Sequence, residues 1–143
     1  MKWIDLPPVW TLVALVVAYN VPFPDVIGPA VVFGSLLLVL AGTLFATALF
    51  EFSRARTTVV PRQNPSALIT SGIFRLSRNP IYLADLLVLA GLSLIWGKFL
   101  GLLLVPALGW WLQRRFILPE EVTLEARFPE DFATYSQNTR RWL

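Results

Sequence analysis

Residues 26–50 run for 25 positions without a charged side chain, and this segment constrains the fold more than any other feature. As an α-helix it reaches about 37 Å at 1.5 Å rise per residue, enough to cross a hydrocarbon core of roughly 30 Å with some tilt. In a soluble domain of 143 residues such a helix needs a polar wrapping that this chain lacks, since 56% of its residues are hydrophobic and 15% are charged. A mean hydropathy of +0.64 agrees. The reading is an all-α integral membrane protein rather than a free cytosolic enzyme.

Three further segments complete a single membrane domain of about four transmembrane helices. Residues 80–97 open on Pro80, which suits a first helical position because its missing N–H is not needed there. Residues 99–118 are apolar to Leu112, carry Trp110 and Trp111 at belt depth and end on Arg114 and Arg115, which snorkel toward headgroups; Pro106 predicts a kink. Residues 8–23 are the shortest case, ending before Pro24 and Asp25, and either span or re-enter. They fit a signal peptide poorly, with Lys2 alone as a basic region and no small-residue cleavage site.

The twelve Lys and Arg residues set the orientation. With both termini cytoplasmic, only Lys98 falls on the far side, which is the bias expected of cytoplasmic segments. The localisation that follows is an integral membrane site, a bacterial inner membrane, with a cytoplasmic loop at 51–79 and a cytoplasmic amphipathic helical tail at 119–143. The basic residues are spread between apolar segments rather than gathered on one stripe, so the net charge of +3 reads as topology and not as a nucleic-acid surface.

The chain has no cysteine and no histidine. Disulfides, thiolate or imidazole metal ligands and a cysteine nucleophile are therefore excluded, no metal site is expected, and proton transfer falls to Asp, Glu, Tyr, Lys or water. In the loop, Asn64-Pro65 and Ser71-Gly72 are turn signals around short apolar runs; charge alone makes the loop a headgroup-binding linker. In the tail, Pro119 can start a new helix with Glu120 and Glu121 at its positive end, and Pro129 predicts a bend after the face shared by Leu124 and Phe128. Two carboxylates beside anionic lipid suggest a cationic ligand. Asp85, one turn inside a span, is a site candidate because a buried ionisable group there is costly unless it has a partner; the alternative is that it pairs with an arginine such as Arg78. Tyr82 is either a belt residue or part of the same region.

The string SGIFRLSRNPIYL, an apolar hairpin, and then EEVTLEARFPEDFATYSQNTRRWL resemble the isoprenylcysteine carboxyl methyltransferase and phospholipid methyltransferase superfamily. The likeness runs from the second span, through GTLFATALFEFSRARTTVVP, to the C-terminus. It implies an integral membrane enzyme that binds S-adenosylmethionine at the cytoplasmic ends of the last two spans and methylates a lipid-like or small amphiphilic acceptor entering from the bilayer. It places Arg78, Asn79, Pro80 and Tyr82 in the cofactor pocket wall, and Glu120 and Glu121 near the cofactor's amino or ribose groups. An acceptor that must lose a proton leaves Tyr82, Asp85 and Glu121 as catalytic candidates.

The chain departs from the family pattern at Asn79, where prenylcysteine enzymes often have His, and at Ile73, Ala84 and Pro129. Methylation of a prenylated protein's C-terminus is thereby disfavoured. The chain is shorter than many relatives, so lid elements are absent or come from a second copy in a homodimer. Two other classes compete with the enzyme: a non-catalytic membrane protein that keeps the fold as a lipid- or partner-binding module, and a small transporter using Asp85 and Glu51.

Overall fold

A computed structural model describes residues 6–20, 30–57 and 65–143. Residues 21–29 and 58–64, which include the ends of two predicted spans, Arg62 and the Asn64 half of one predicted turn, lie outside the described residues, as does the Lys2 end of the chain. Every regular element among the described residues is helical.

Helix α1 covers Pro7–Asn20 and α2 covers Ala30–Ala55. Of the described helices, α2 alone is long and apolar enough by itself to cross a membrane, with 26 residues and a mean hydropathy of 2.2 over its best window. Little of that window is buried within the protein. Val32, Phe33, Leu36, Val39 and Leu40 all stand exposed along it, an apolar face too wide for contact with water. The helix also continues past the predicted boundary at residue 50. Glu51, expected to open the loop, is inside α2 and only 7% exposed; its charge is buried against loop residues rather than marking a helix end.

A 3₁₀ turn, Gly72–Arg75, follows the expected turn at Ser71-Gly72, and α3 then spans Pro80–Ile95. The end of α3 is fixed by Gly97, whose φ of +67° is a left-handed conformation that suits glycine. Lys98 N–H reaches Ser93 O at 2.8 Å and Gly97 N–H reaches Leu94 O at 3.2 Å, the paired bonds that close a helix at glycine.

Helix α4, Leu100–Leu112, contains Pro106 and passes without a break through a π-helical turn, Gln113–Ile117, into α5, Leu118–Arg127. Pro119 therefore does not start a separate helix, which corrects the expectation of a free helix N-terminus beneath Glu120 and Glu121. The π turn supplies the reason. Pro119 has no N–H for the carbonyl four residues back and its ring crowds that carbonyl; widening the ladder one step earlier, with Leu118 N–H on Gln113 O, lets the helix continue. At Phe128 the backbone leaves helical geometry (φ −133°, ψ 61°), and α6, Pro129–Asn138, begins on Pro129, matching the bend expected there.

Helix α2 packs mainly on α3, while α1 lies against both α3 and α4. One core, around Ala18, Leu89, Leu108, Leu112 and Phe116, sits among α1, α3 and α4. Another joins Ala48 of α2, Ile69 and Phe74 of the loop, and Phe132 and Tyr135 of α6. This second core clamps loop and tail together at the end of the helices where the polar residues collect.

Candidate functional site

The site grows from the first turn of α3. Pro80 is fully buried at the helix start, and Asn79 N–H donates to Ser77 Oγ at 3.1 Å. That local bond leaves the Asn79 side chain available, and its Nδ2 donates to Arg141 O at 2.9 Å. Arg78 N–H donates to Arg140 O at 3.0 Å. The end of the chain is thus stitched along the start of α3, and Trp142 Nε1 fixes it further by donating to Gln113 Oε1 at 2.9 Å.

This stitching brings two arginines onto one carboxylate. Arg141 donates Nε to Glu121 Oε1 at 3.0 Å and Nη2 to Glu121 Oε2 at 2.7 Å. Arg78 Nη1 stands 3.2 Å from Glu121 Oε1. The hydrogen bonds that Arg141 donates to Glu121 stabilise its guanidinium and raise its pKa above the ordinary arginine range. Glu121 therefore binds the protein's own cations, and the cationic ligand expected for both carboxylates has no open claim on it.

Glu120 has a different partner. Tyr82, in the first turn of α3 and only 7% exposed, donates its hydroxyl to Glu120 Oε1 at 2.8 Å, with its ring stacked on Phe116 at a centroid separation of 6.3 Å. Arg78, Asn79, Tyr82, Glu120 and Glu121 all meet where α3 begins and α5 begins. Asp85 does not join them. It lies deeper along α3, and its Oδ2 is buried with no hydrogen-bond partner among the described residues; Arg78, its suggested partner, is committed to Glu121.

A pocket of about 120 Å³ adjoins the cluster, lined by Arg78, Asn79, Glu120 and Glu121 and by the rings of Phe52 and Phe132. The Arg78 guanidinium lies 5.8 Å from the Phe132 ring centroid, and its Nε is buried without a partner among the described residues. Tyr135 closes one side by donating its hydroxyl to Phe74 O at 2.7 Å; burial pushes that hydroxyl's pKa up, against the opposing effect of Arg78. A wider, open groove of about 660 Å³ lies on the far side of Tyr135, lined by exposed side chains such as Arg75 and Asp131.

These observations fit a small ligand with an anionic group, an apolar or aromatic part and hydroxyl or amino groups. The buried Arg78 N–H suits a carboxylate, the Phe52 and Phe132 rings suit a flat or cationic group, and Glu120 suits a donor. S-Adenosylmethionine has all of these features. Sequence reasoning missed Arg141, Ser77 and Trp142, because Arg140-Arg141-Trp142 reads as terminal charge and belt aromatic until the tail is folded back.

A family model described as phospholipid methyltransferase matches residues 29–131, most of the chain. The match takes in α2 through the first turn of α6 and leaves out α1 and the terminal Arg141. No curated protein and no solved structure matches the chain. Family members are membrane-associated and act in general as methyltransferases, in keeping with the long apolar α2. On that match, the chain belongs to the phospholipid methyltransferase family.

Proposed function

We propose that this protein is an S-adenosylmethionine-dependent methyltransferase that acts on a lipid-like or small amphiphilic acceptor. The observation that carries the reading is the convergence of Arg78 and Tyr82 of the α3 start with Glu120 and Glu121 of the α5 start beside an aromatic pocket. In this reading α1, α2, α3 and the continuous α4–α5 helix all meet the bilayer, both termini are cytoplasmic, and the site lies at the cytoplasmic interface of a bacterial inner membrane.

S-Adenosylmethionine supplies, when bound, a methyl group on a positively charged sulfur that a nucleophile can take by in-line displacement. The chain's work is then alignment and exclusion of water. Arg78, oriented by Glu121 and the Phe132 face, presents its buried Nε–H to a carboxylate. Glu120, held by Tyr82, accepts from an amino or ribose hydroxyl group. Phe52, Phe74 and Phe132 keep water out, which strengthens each of these contacts. Glu121 acts through Arg78 and Arg141 as a positioning residue.

A pocket of about 120 Å³ is smaller than the roughly 300–1,000 Å³ of small-molecule sites. That favours a second reading, a non-catalytic protein whose Glu121 pair locks the fold shut. A calorimetric titration of S-adenosylhomocysteine into detergent-purified protein separates the two. Saturable binding to the wild type, lost in the Glu120→Gln/Glu121→Gln variant, is the expected result; a flat trace from folded wild-type protein selects the non-catalytic reading.

A further inference from the structure

Away from the pocket, three buried side-chain polar atoms on three facing helices lack a hydrogen-bond partner among the described residues. Thr11 is 5% exposed and its Oγ1 has no hydrogen-bond partner among the described residues. Asp85 and Trp111 are half-buried residues, but Asp85 Oδ2 and Trp111 Nε1 are themselves buried and have no partner among the described residues. Buried polar atoms are nearly always paired, so three orphans call for a cause.

Register places the three at one level. The Trp10 and Trp111 rings meet at a centroid distance of 4.9 Å, which sets the α1 turn that carries Thr11 at the height of Trp111 on α4. Leu86 Cδ1 is the nearest neighbour of the Cβ position at Gly109, 3.3 Å away, which sets Asp85 of α3 at the same height. Faces agree as well as heights. Asp85 lies on the stripe that runs through Tyr82, Leu89 and Ser93, all buried, and Thr11 lies two turns along the α1 face that buries Ala18. One turn of α3 separates this level from the Tyr82–Glu120 hydrogen bond.

The donor and acceptor inventory defines what would satisfy the cluster. Trp111 Nε1–H only donates, Asp85 accepts when ionised, and Thr11 does both. We infer that Thr11, Asp85 and Trp111 form a second site, which takes the head of an amphiphile that both donates and accepts hydrogen bonds, a hydroxyl or an amine, and refuses a carboxylate. A carboxylate head would meet Asp85 with like charge and could not donate to it. The placement of this site beneath the proposed cofactor pocket makes its ligand the methyl acceptor, and that assignment rests on the proposed function; the site itself does not.

The test titrates 1-dodecanol, dodecylamine and dodecanoate into the detergent-purified wild type and into Thr11→Val and Asp85→Leu, alongside S-adenosylhomocysteine, and records each unfolding midpoint without additive. The alcohol and the amine should bind the wild type saturably, with dodecanoate at least tenfold weaker. Both variants should lose at least tenfold in affinity for alcohol and amine, melt at a higher temperature because an orphaned polar group has gone, and retain S-adenosylhomocysteine binding. Equal binding of dodecanoate, unchanged affinity in the variants, or a lower midpoint for Thr11→Val would overturn the site. Thr11→Val is nearly isosteric, so the answer does not depend on Asp85→Leu folding. Amphiphile binding without S-adenosylhomocysteine binding removes the methyltransferase reading and keeps this site; the converse removes this site alone.

Discussion

Arg141 and Glu121 stand twenty residues apart and meet fork to fork, with parallel hydrogen bonds of 3.0 and 2.7 Å. The pair ties the last residues of the chain to a carboxylate that lines the candidate site. With Arg78 on the same carboxylate at 3.2 Å, Glu121 fixes the plane of one guanidinium against the tail and of another toward the pocket. A planar, two-point contact is what guanidinium provides and an ammonium does not.

Arg141→Lys should therefore behave as a loss rather than a conservative change. Keeping the charge but losing the fork, it is expected to weaken S-adenosylhomocysteine binding about tenfold, the equivalent of roughly 1.4 kcal/mol, and to lower the unfolding midpoint. Arg141→Ala should do more, because Glu121 then keeps only Arg78. Unchanged affinity in both variants, read by calorimetry, would show that the tail does not orient the site.

Tyr82→Phe removes only the hydroxyl that holds Glu120 Oε1 at 2.8 Å. The ring stacked on Phe116 stays, so the fold should be little affected. A hydrogen bond to a charged group is worth about 1.5–3 kcal/mol, and the loss should appear chiefly in ligand affinity, by tenfold or more. A large drop in unfolding midpoint with affinity intact would make the Tyr82–Glu120 contact structural.

The sequence showed which residues would meet better than it showed how. The charge-free run predicted α2, Pro80 predicted the start of α3, and Pro129 predicted the break before α6, because each is a local effect of backbone chemistry. Glu51 was misread as a helix end since burial of its carboxylate depends on Ser71 and Gly72, twenty residues away. The continuity of α4 into α5 was hidden for a similar reason. Pro119 looks like a helix start unless a π turn precedes it, and no spacing rule announces that turn. Arg141 was legible only as charge, because its role depends on the tail folding back to α3, a long-range contact without a periodic signature.

Packing between α2 and α3 offers a contrast within one helix. A Cβ at Gly34 would stand 2.6 Å from Gly91 O and 2.8 Å from Ile95 Cγ1, whereas one at Gly42 meets nothing within 4 Å. Gly34→Ala should therefore force the helices apart and cost about 1–3 kcal/mol. Gly42→Ala should stabilise by roughly 0.5–1 kcal/mol through helix propensity. Detergent unfolding midpoints that move in the same direction for both variants would contradict the close α2–α3 crossing.

Gly72 tests how the loop is held above the site. Its φ of +57° is left-handed, and a Cβ there would strike the Glu51 carboxylate, which accepts a 2.6 Å hydrogen bond from Ser71 Oγ. Gly72→Ala meets two penalties at once, a left-handed backbone costing roughly 1–2 kcal/mol and a collision with a side chain that is only 9% exposed. Glu51→Ala relieves the collision but leaves the backbone strain and removes the Ser71 bond. The double variant Glu51→Ala/Gly72→Ala should consequently be less destabilised than the sum of the two single changes. Midpoints that simply add would show that residue 72 and the Glu51 carboxylate do not touch, and the loop would then be held by the Ile69 and Phe74 core alone.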